Sequence, residues 1–147
     1  MVMPMDNLTA APPPPAPAAR DDGRLPVTVM PERYALDLRI DPRATRFSGR
    51  AAIQVRVPGS TPYVVLHARD MHVQRAVAKV GAGEIAAHAS ERIAHGGAQP
   101  EELVLTFDQP LPAGTAVLEI DYDAPFASDL AGLYRVQEDG AWYAYTQ

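Results

Sequence analysis

Three carboxylates stand two residues apart near the C-terminal end of the chain: Glu119, Asp121 and Asp123, with Tyr122 between the last two. On a strand, residues of like parity share one face, so the three line up. Such a row could hold a calcium ion or split into an acid and a base. Calcium loops, however, space their oxygen ligands more densely and turn on a glycine, and that pattern is missing. An exposed polar face alternating with core residues accounts for the row more simply. Four histidines, His67, His72, His88 and His95, are the other candidates for chemistry. None forms a His-x-His or a His-Glu-x-x-His pattern, so no zinc-ligand spacing is present. A single strand running through His67 and His72 would point them to opposite faces. His67 reads as a hydrogen-bonded strand residue and the others as surface histidines. The segment "GAGE" lacks the phosphate-loop pattern, and no serine sits in a nucleophile elbow. No catalytic and no metal-ligating residue is assigned within the chain.

Composition narrows the classes further. The chain has 147 residues, no cysteine, and a formal net charge of −5. Absent cysteines exclude disulfides, cysteine nucleophiles and thiolate zinc sites. The cationic residues, nearly all arginine, are scattered, and the net charge is negative, which argues against nucleic-acid binding. No apolar run reaches membrane-spanning length, and the N-terminus lacks the basic start and apolar stretch of a signal peptide. The expectation is a cytoplasmic chain without membrane partners. Asn7-Leu8-Thr9 fits the short glycosylation pattern, which arises often by chance.

Any such residue must be carried by strands. Residues 1–24, with "APPPPAPAAR", read as a disordered Pro/Ala-rich leader that cannot build a core, though a proline-binding module could take it as a ligand. From Leu25 on, period-2 alternation takes over. Tyr34, Leu36, Leu38 and Ile40 fall on one face of the first strand, and Phe47, Ala51, Ile53, Val55 and Val57 on one face of the second. Both read as half-buried. "TPYVVLHA" (61–68) is a continuous apolar run, expected to be a central strand covered on both faces. "HVQRAVAKV", "EELVLTF" and "AVLEIDY" add three more strands, and "GLYRVQ" and "AWYAYTQ" form a hairpin around Asp139-Gly140. Segment 84–95 places Ile85, Ala89 and Ile93 four apart and is rich in alanine, which suits a short helix. Irregular strand and loop is preferred there because its surroundings are β. The fold class is all-β: an antiparallel β-sandwich or saddle-like open barrel of eight or nine strands.

Several of these stretches together resemble a known family. "RLPVTVMPERYALDLRID" supplies Leu25-Pro26, Pro31, Tyr34, Leu36 and Leu38. Phe47-Ser48-Gly49, Leu66-His67-Ala68, "EELVLTF", "PLPAG", Gly132-Leu133-Tyr134-Arg135 and Thr146-Gln147 follow in order. Each is short, but their number, order and spacing are similar to the opening of the aminopeptidase N-type zinc metallopeptidases, which include the puromycin-sensitive and leukotriene-A hydrolase-like enzymes. The resemblance covers residues 25–147 and implies the N-terminal β domain, a saddle-shaped structure beside a thermolysin-like catalytic domain. The motifs of that catalytic domain, Gly-x-Met-Glu-Asn and His-Glu-x-x-His, are absent here.

What the resemblance implies is therefore indirect. Zinc would belong to the catalytic domain and not to this chain, which would be inactive alone. Peptide substrates would meet it only at Gln147, where the family's strand enters the cleft close to the bound N-terminal residue. A glutamine carbonyl can accept a hydrogen bond from an α-ammonium group. Alternation puts Gln147 on the face of Tyr143 and Tyr145, opposite Trp142. The competing reading is a surface glutamine at a frayed end, and it holds while no second wall closes a site. The chain is expected to be a piece of a longer protein, with a docking face that could also support a dimer. The alternative is a free-standing β-sandwich binding module, which should lack an exposed apolar patch.

Overall fold

A computed structural model describes residues 15–93, 96–97 and 100–147. The Asn7 pattern, residues 1–14 of the expected leader, and His95 lie outside the described residues. The described chain contains nine strands: β1 (Met30–Arg39), β2 (Arg46–Val57), β3 (Thr61–His67), β4 (His72–Val80), β5 (Gly83–Ile93), β6 (Pro100–Leu111), β7 (Gly114–Pro125), β8 (Leu133–Glu138) and β9 (Ala141–Thr146). Seven of them form one antiparallel sheet in the order β1-β2-β7-β4-β5-β6-β3, and β8 and β9 pair as a second, small sheet. The large sheet curls into a half-barrel, so that its inner face packs against itself.

Alternation dictates what that inner face holds. Ile53, Val55 and Val57 of β2 meet Leu118, Ile120 and Tyr122 of β7, with Leu103, Leu105 and Phe107 of β6 closing from the far side. Leu103, Leu105, Leu111 and Leu118 are among the largest fully buried side chains. Burying each removes an aliphatic side chain from water, worth about 1.5–3 kcal/mol. Small residues, Ala51, Ala76, Ala78 and Ala116, fill the rest.

Gly49 shows how tight the curl is. A Cβ placed there would lie 2.8 Å from Leu38 Cδ2 and 2.8 Å from the Tyr122 ring. Glycine in Phe47-Ser48-Gly49 is thus a packing requirement, since its backbone φ is not left-handed.

Three expectations need correction. The first strand was read as half-buried, yet every residue of β1 is exposed. Its apolar side chains share the inner face, opposite Ile53, Ala51 and Gly49 in the register, but the described residues leave them exposed. β3 was read as a central strand, yet it is an edge strand bonded only to β6. Val64 and Val65 are nonetheless both buried, because the chain before β1 closes over this end of the sheet. Segment 84–95, where a short helix competed with irregular strand, is regular strand through Ile93. Pairing with β4 and β6 on its two sides outweighs the helical preference of its alanines.

The outer face carries one feature that alternation did not flag. Glu102 is 1% exposed and accepts a hydrogen bond from Arg92 Nε at 2.7 Å. Arg92 and His67 both lie opposite Glu102 in the register, making a row across β5, β6 and β3. Arg92 also donates to the Pro17 carbonyl, and His67 Nε2 donates to the Gly23 carbonyl at 3.1 Å. Residues 15–24, the described end of the expected leader, form neither helix nor strand and are held by that row.

Replacing Gly49 with alanine should destabilise the fold by about 1–3 kcal/mol, because a methyl group must displace Leu38 and Tyr122. Gly59→Ala, where the added carbon meets nothing within 4 Å, should change stability by less than about 0.5 kcal/mol. Urea unfolding midpoints compare the two directly. Equal midpoints would refute the packing argument.

Candidate functional site

The β8–β9 hairpin turns through Asp139 (φ 49°) and Gly140 (φ 81°). Two successive left-handed residues make the tight turn whose twist suits a two-residue hairpin. Six residue pairs follow, from Glu138↔Ala141 to Leu133↔Thr146. The Gln147 amide then donates to the Gly132 carbonyl at 3.0 Å, and the Ala127 amide donates to the Leu133 carbonyl at 2.8 Å. The last residue is thereby fixed to the start of the hairpin, and the hairpin to the segment after β7.

The two faces of the hairpin differ. On one, the Arg135 guanidinium stacks 4.1 Å from the Trp142 ring centroid and 5.8 Å from that of Phe126. Its Nη1 donates to the carbonyls of Pro42, at 3.1 Å, and Arg43, at 3.4 Å. Phe126 packs on Phe47 (5.6 Å between centroids), and Phe47 meets Tyr122 edge-on at 6.4 Å and 86°. An unbroken run of rings thus leads from the core to the hairpin. The opposite face carries Tyr134 and Tyr145, stacked at 5.8 Å, together with Val136 and Tyr143. Tyr143 and Tyr145 are each 47% exposed. Gln147 is exposed and continues the alternation of Tyr143 and Tyr145.

The other candidates are committed elsewhere. Glu119 pairs with Lys79 at 3.0 Å and Arg75 at 3.6 Å. Asp121 takes a two-pronged contact from Arg50 at 2.6 and 3.1 Å. Asp123 accepts from His72 Nδ1 at 2.9 Å, Arg46 Nε at 2.8 Å and Gln74 Nε2 at 3.0 Å. The row is an ion-pair ladder in which β7 is flanked by cations of β2 and β4. The hydrogen bonds from His72 and then Arg46 hold the Asp123 carboxyl down at about 2. The Lys79 contact lowers Glu119, and the Arg50 contact lowers Asp121. Three carboxylates all held ionised cannot divide into an acid and a base. His67, His72 and His88 sit on three different strands, and His88 Nε2 bonds Asp108 at 2.9 Å. Among the described residues, no three His, Cys, Asp or Glu side chains are grouped to hold a metal ion.

A recess of about 430 Å³ opens between the end of the large sheet and the hairpin, floored by Phe47, Tyr122 and Phe126. Gln147 does not line it. Sequence reasoning missed the recess, and it named Arg135 only within the Gly132-Leu133-Tyr134-Arg135 stretch, with no role, although a lone arginine in an aromatic hairpin was a signal.

Residues 30–147 match the model of the peptidase M1 N-terminal domain. The match begins at the first residue of β1 and runs through the hairpin. Aminopeptidase M1-C of Oryza sativa subsp. japonica is 35% identical over 131 residues, covering 84% of this chain and 14% of that relative. Aminopeptidase M1 of Arabidopsis thaliana is 32% identical over 117 residues, 79% of this chain and 13% of its own length. Endoplasmic reticulum aminopeptidase 1 of Mus musculus is 26% identical over 113 residues, 76% and 12% respectively. The chain belongs to the peptidase M1 N-terminal domain family, and it spans only a small part of each relative's length.

The ladder has a pH signature. Because Asp123 is depressed in the folded state, its contribution is fully present above its ordinary value of 3.8 and is lost as pH falls towards about 2. Asp123→Asn should flatten that acid limb of a stability-versus-pH curve, read from thermal midpoints between pH 2 and 6. An unchanged acid limb would contradict the ladder.

Proposed function

We propose that this chain is the N-terminal, cleft-wall domain of a zinc aminopeptidase that removes residues one at a time from peptide N-termini. The observation that carries the reading is the placement of Gln147. It stands exposed at the end of a strand pinned to the large sheet, on an aromatic face that no described residue covers. Membership of the M1 family and the aminopeptidase names of the relatives support the peptide substrate.

The division of labour follows from the residues present. Zinc does not fit the described residues, none of which are grouped as ligands. The metal and the reacting groups belong to a catalytic domain outside this chain. The Gln147 side-chain carbonyl accepts a hydrogen bond from the α-ammonium of the peptide. Its backbone amide is already committed to Gly132, which fixes where the side chain starts. The catalytic domain packs on the face of the half-buried Tyr134 and the exposed Val136, Tyr143 and Tyr145, where the tyrosines offer apolar area with polar rims.

The test uses the longer protein that carries this chain. Gln147→Ala should raise KM for peptides with a free N-terminus by roughly tenfold or more, the worth of a hydrogen bond to a charged group, with kcat less affected. This chain alone should release no N-terminal residue from a leucyl-amide substrate. Turnover by the isolated chain, or an unchanged KM in the variant, would overturn the reading.

A further inference from the structure

The two edges of the seven-stranded sheet are treated differently. β3 has a register break between Thr61 and Tyr63, and the chain before β1 reaches its end through the His67–Gly23 contact. Unpaired edges normally carry such protection, because their free amides and carbonyls invite another strand. Among the described residues, β1 has a register break only at its start, where Pro31 and a bulge before Arg33 interrupt the pairing with β2. From Arg33 to Arg39 the pairing with β2 is regular, and no described strand pairs with the far side of β1.

The open stretch is apolar on one face and charged on the other. Tyr34 is 58% exposed and Leu36 is 60% exposed. Both point to the inner side of the sheet, where the core stops short of covering them. On the outer side stand Arg33, Asp37 and Arg39. Among the described residues, none of the three makes a hydrogen bond or an ion pair of its own. Asp37 lies opposite Arg50, but Arg50 is engaged by Asp121.

We propose that β1 pairs antiparallel with β1 of a second copy of this chain, about a two-fold axis through Ala35. The sequence around Ala35 has the symmetry such an axis demands. Arg33 falls opposite Asp37 of the second copy, and Asp37 opposite its Arg33, giving two identical charge pairs. Tyr34 falls opposite Leu36 and Leu36 opposite Tyr34, so each apolar stripe gains an aromatic–aliphatic neighbour. An isologous contact requires this reciprocity. Moving the axis one residue to Leu36 would set Arg33 against Arg39, a like-charge pair, and an axis through Leu38 would pair Asp37 with Arg39 but overlap only residues 37–39 of the strand, so charge and strand length together select the register. Pro31 and the bulge fall outside the Arg33–Asp37 stretch and do not obstruct it. The pairing uses no residue of the β8–β9 hairpin and stands independently of the proposed function. With so short a strand, the dimer is weak, in the micromolar range or above.

Sedimentation equilibrium on this chain, from roughly 5 to 500 μM, should show a reversible monomer–dimer equilibrium. Asp37→Arg should lower the association constant roughly tenfold or more, by creating like-charge pairs with Arg33. Adding Arg33→Asp to that variant should restore it. Circular dichroism checks that both variants keep the fold. Because the chain has no cysteine, a second measurement is clean. Ala35→Cys should oxidise to a linked dimer, since directly opposed residues lie about 4.5–5.5 Å apart between Cα atoms, within disulfide reach. Arg39→Cys should not. A monomer at every concentration would overturn the proposal. So would a dimer indifferent to the charge reversal, or equal cross-linking at positions 35 and 39.

Discussion

The position of the hairpin depends on one guanidinium. Arg135 lies between Trp142 and the ring of Phe126 and donates to two carbonyls of the β1–β2 loop. A partly buried cation against an aromatic face is worth about 0.5–2 kcal/mol, and the carbonyl contacts add to it. A two-stranded hairpin by itself is marginal in water. Without this contact β8 and β9 would be tied to the main sheet chiefly by the segment at Ala127 and by a few backbone bonds. With it, rigidity in the core passes through Tyr122, Phe47 and Phe126 to the strand that ends at Gln147.

That rigidity has its own requirement. A single sheet has to cover its own inner face, so it curls, and the curl leaves no room beside Gly49. Leu38 and the Tyr122 ring occupy the space that any side chain there would take. Tyr122 is thus held from one side by β1 and from the other by Phe47, the first ring of the run towards Arg135. The Phe47-Ser48-Gly49 stretch joins both demands: phenylalanine for the run of rings, glycine for the close approach of β1. On the outer face the ladder of Glu119, Asp121 and Asp123 joins β7 to both neighbours, which suits a sheet whose polar side faces water.

Much of this was legible in the alternation of residues. The strands β1, β2, β4, β6 and β7 and the Asp139-Gly140 turn follow from period and turn chemistry, whereas β5, with its alanines and four-residue spacing, did not. What alternation cannot say is whether a face will be covered. It marked Tyr34, Leu36 and Leu38 as one face correctly, yet the sheet order leaves that face at an open edge. Nor can a continuous apolar run separate a central strand from an edge strand buried by loops, which is how β3 was misplaced. Glu102 was hidden because a buried charge has no periodic signature; its partner Arg92 lies on another strand. Gln147 drew notice only through family resemblance, since one exposed glutamine carries no local signal. Its placement beside Tyr143 and Tyr145 did follow from parity.

The hairpin is presented as a fixed strand because Arg135 ties it to the large sheet. Hydrogen exchange at the backbone amides of Ala141–Thr146 tests it most directly, comparing the native chain with Arg135→Ala. These amides should lose protection by roughly tenfold or more in the variant while those of β2 and β7 keep theirs, the mark of a local opening. Equal protection of the hairpin in both proteins would show that the guanidinium does not hold it, and the structural basis for placing Gln147 would fall with it.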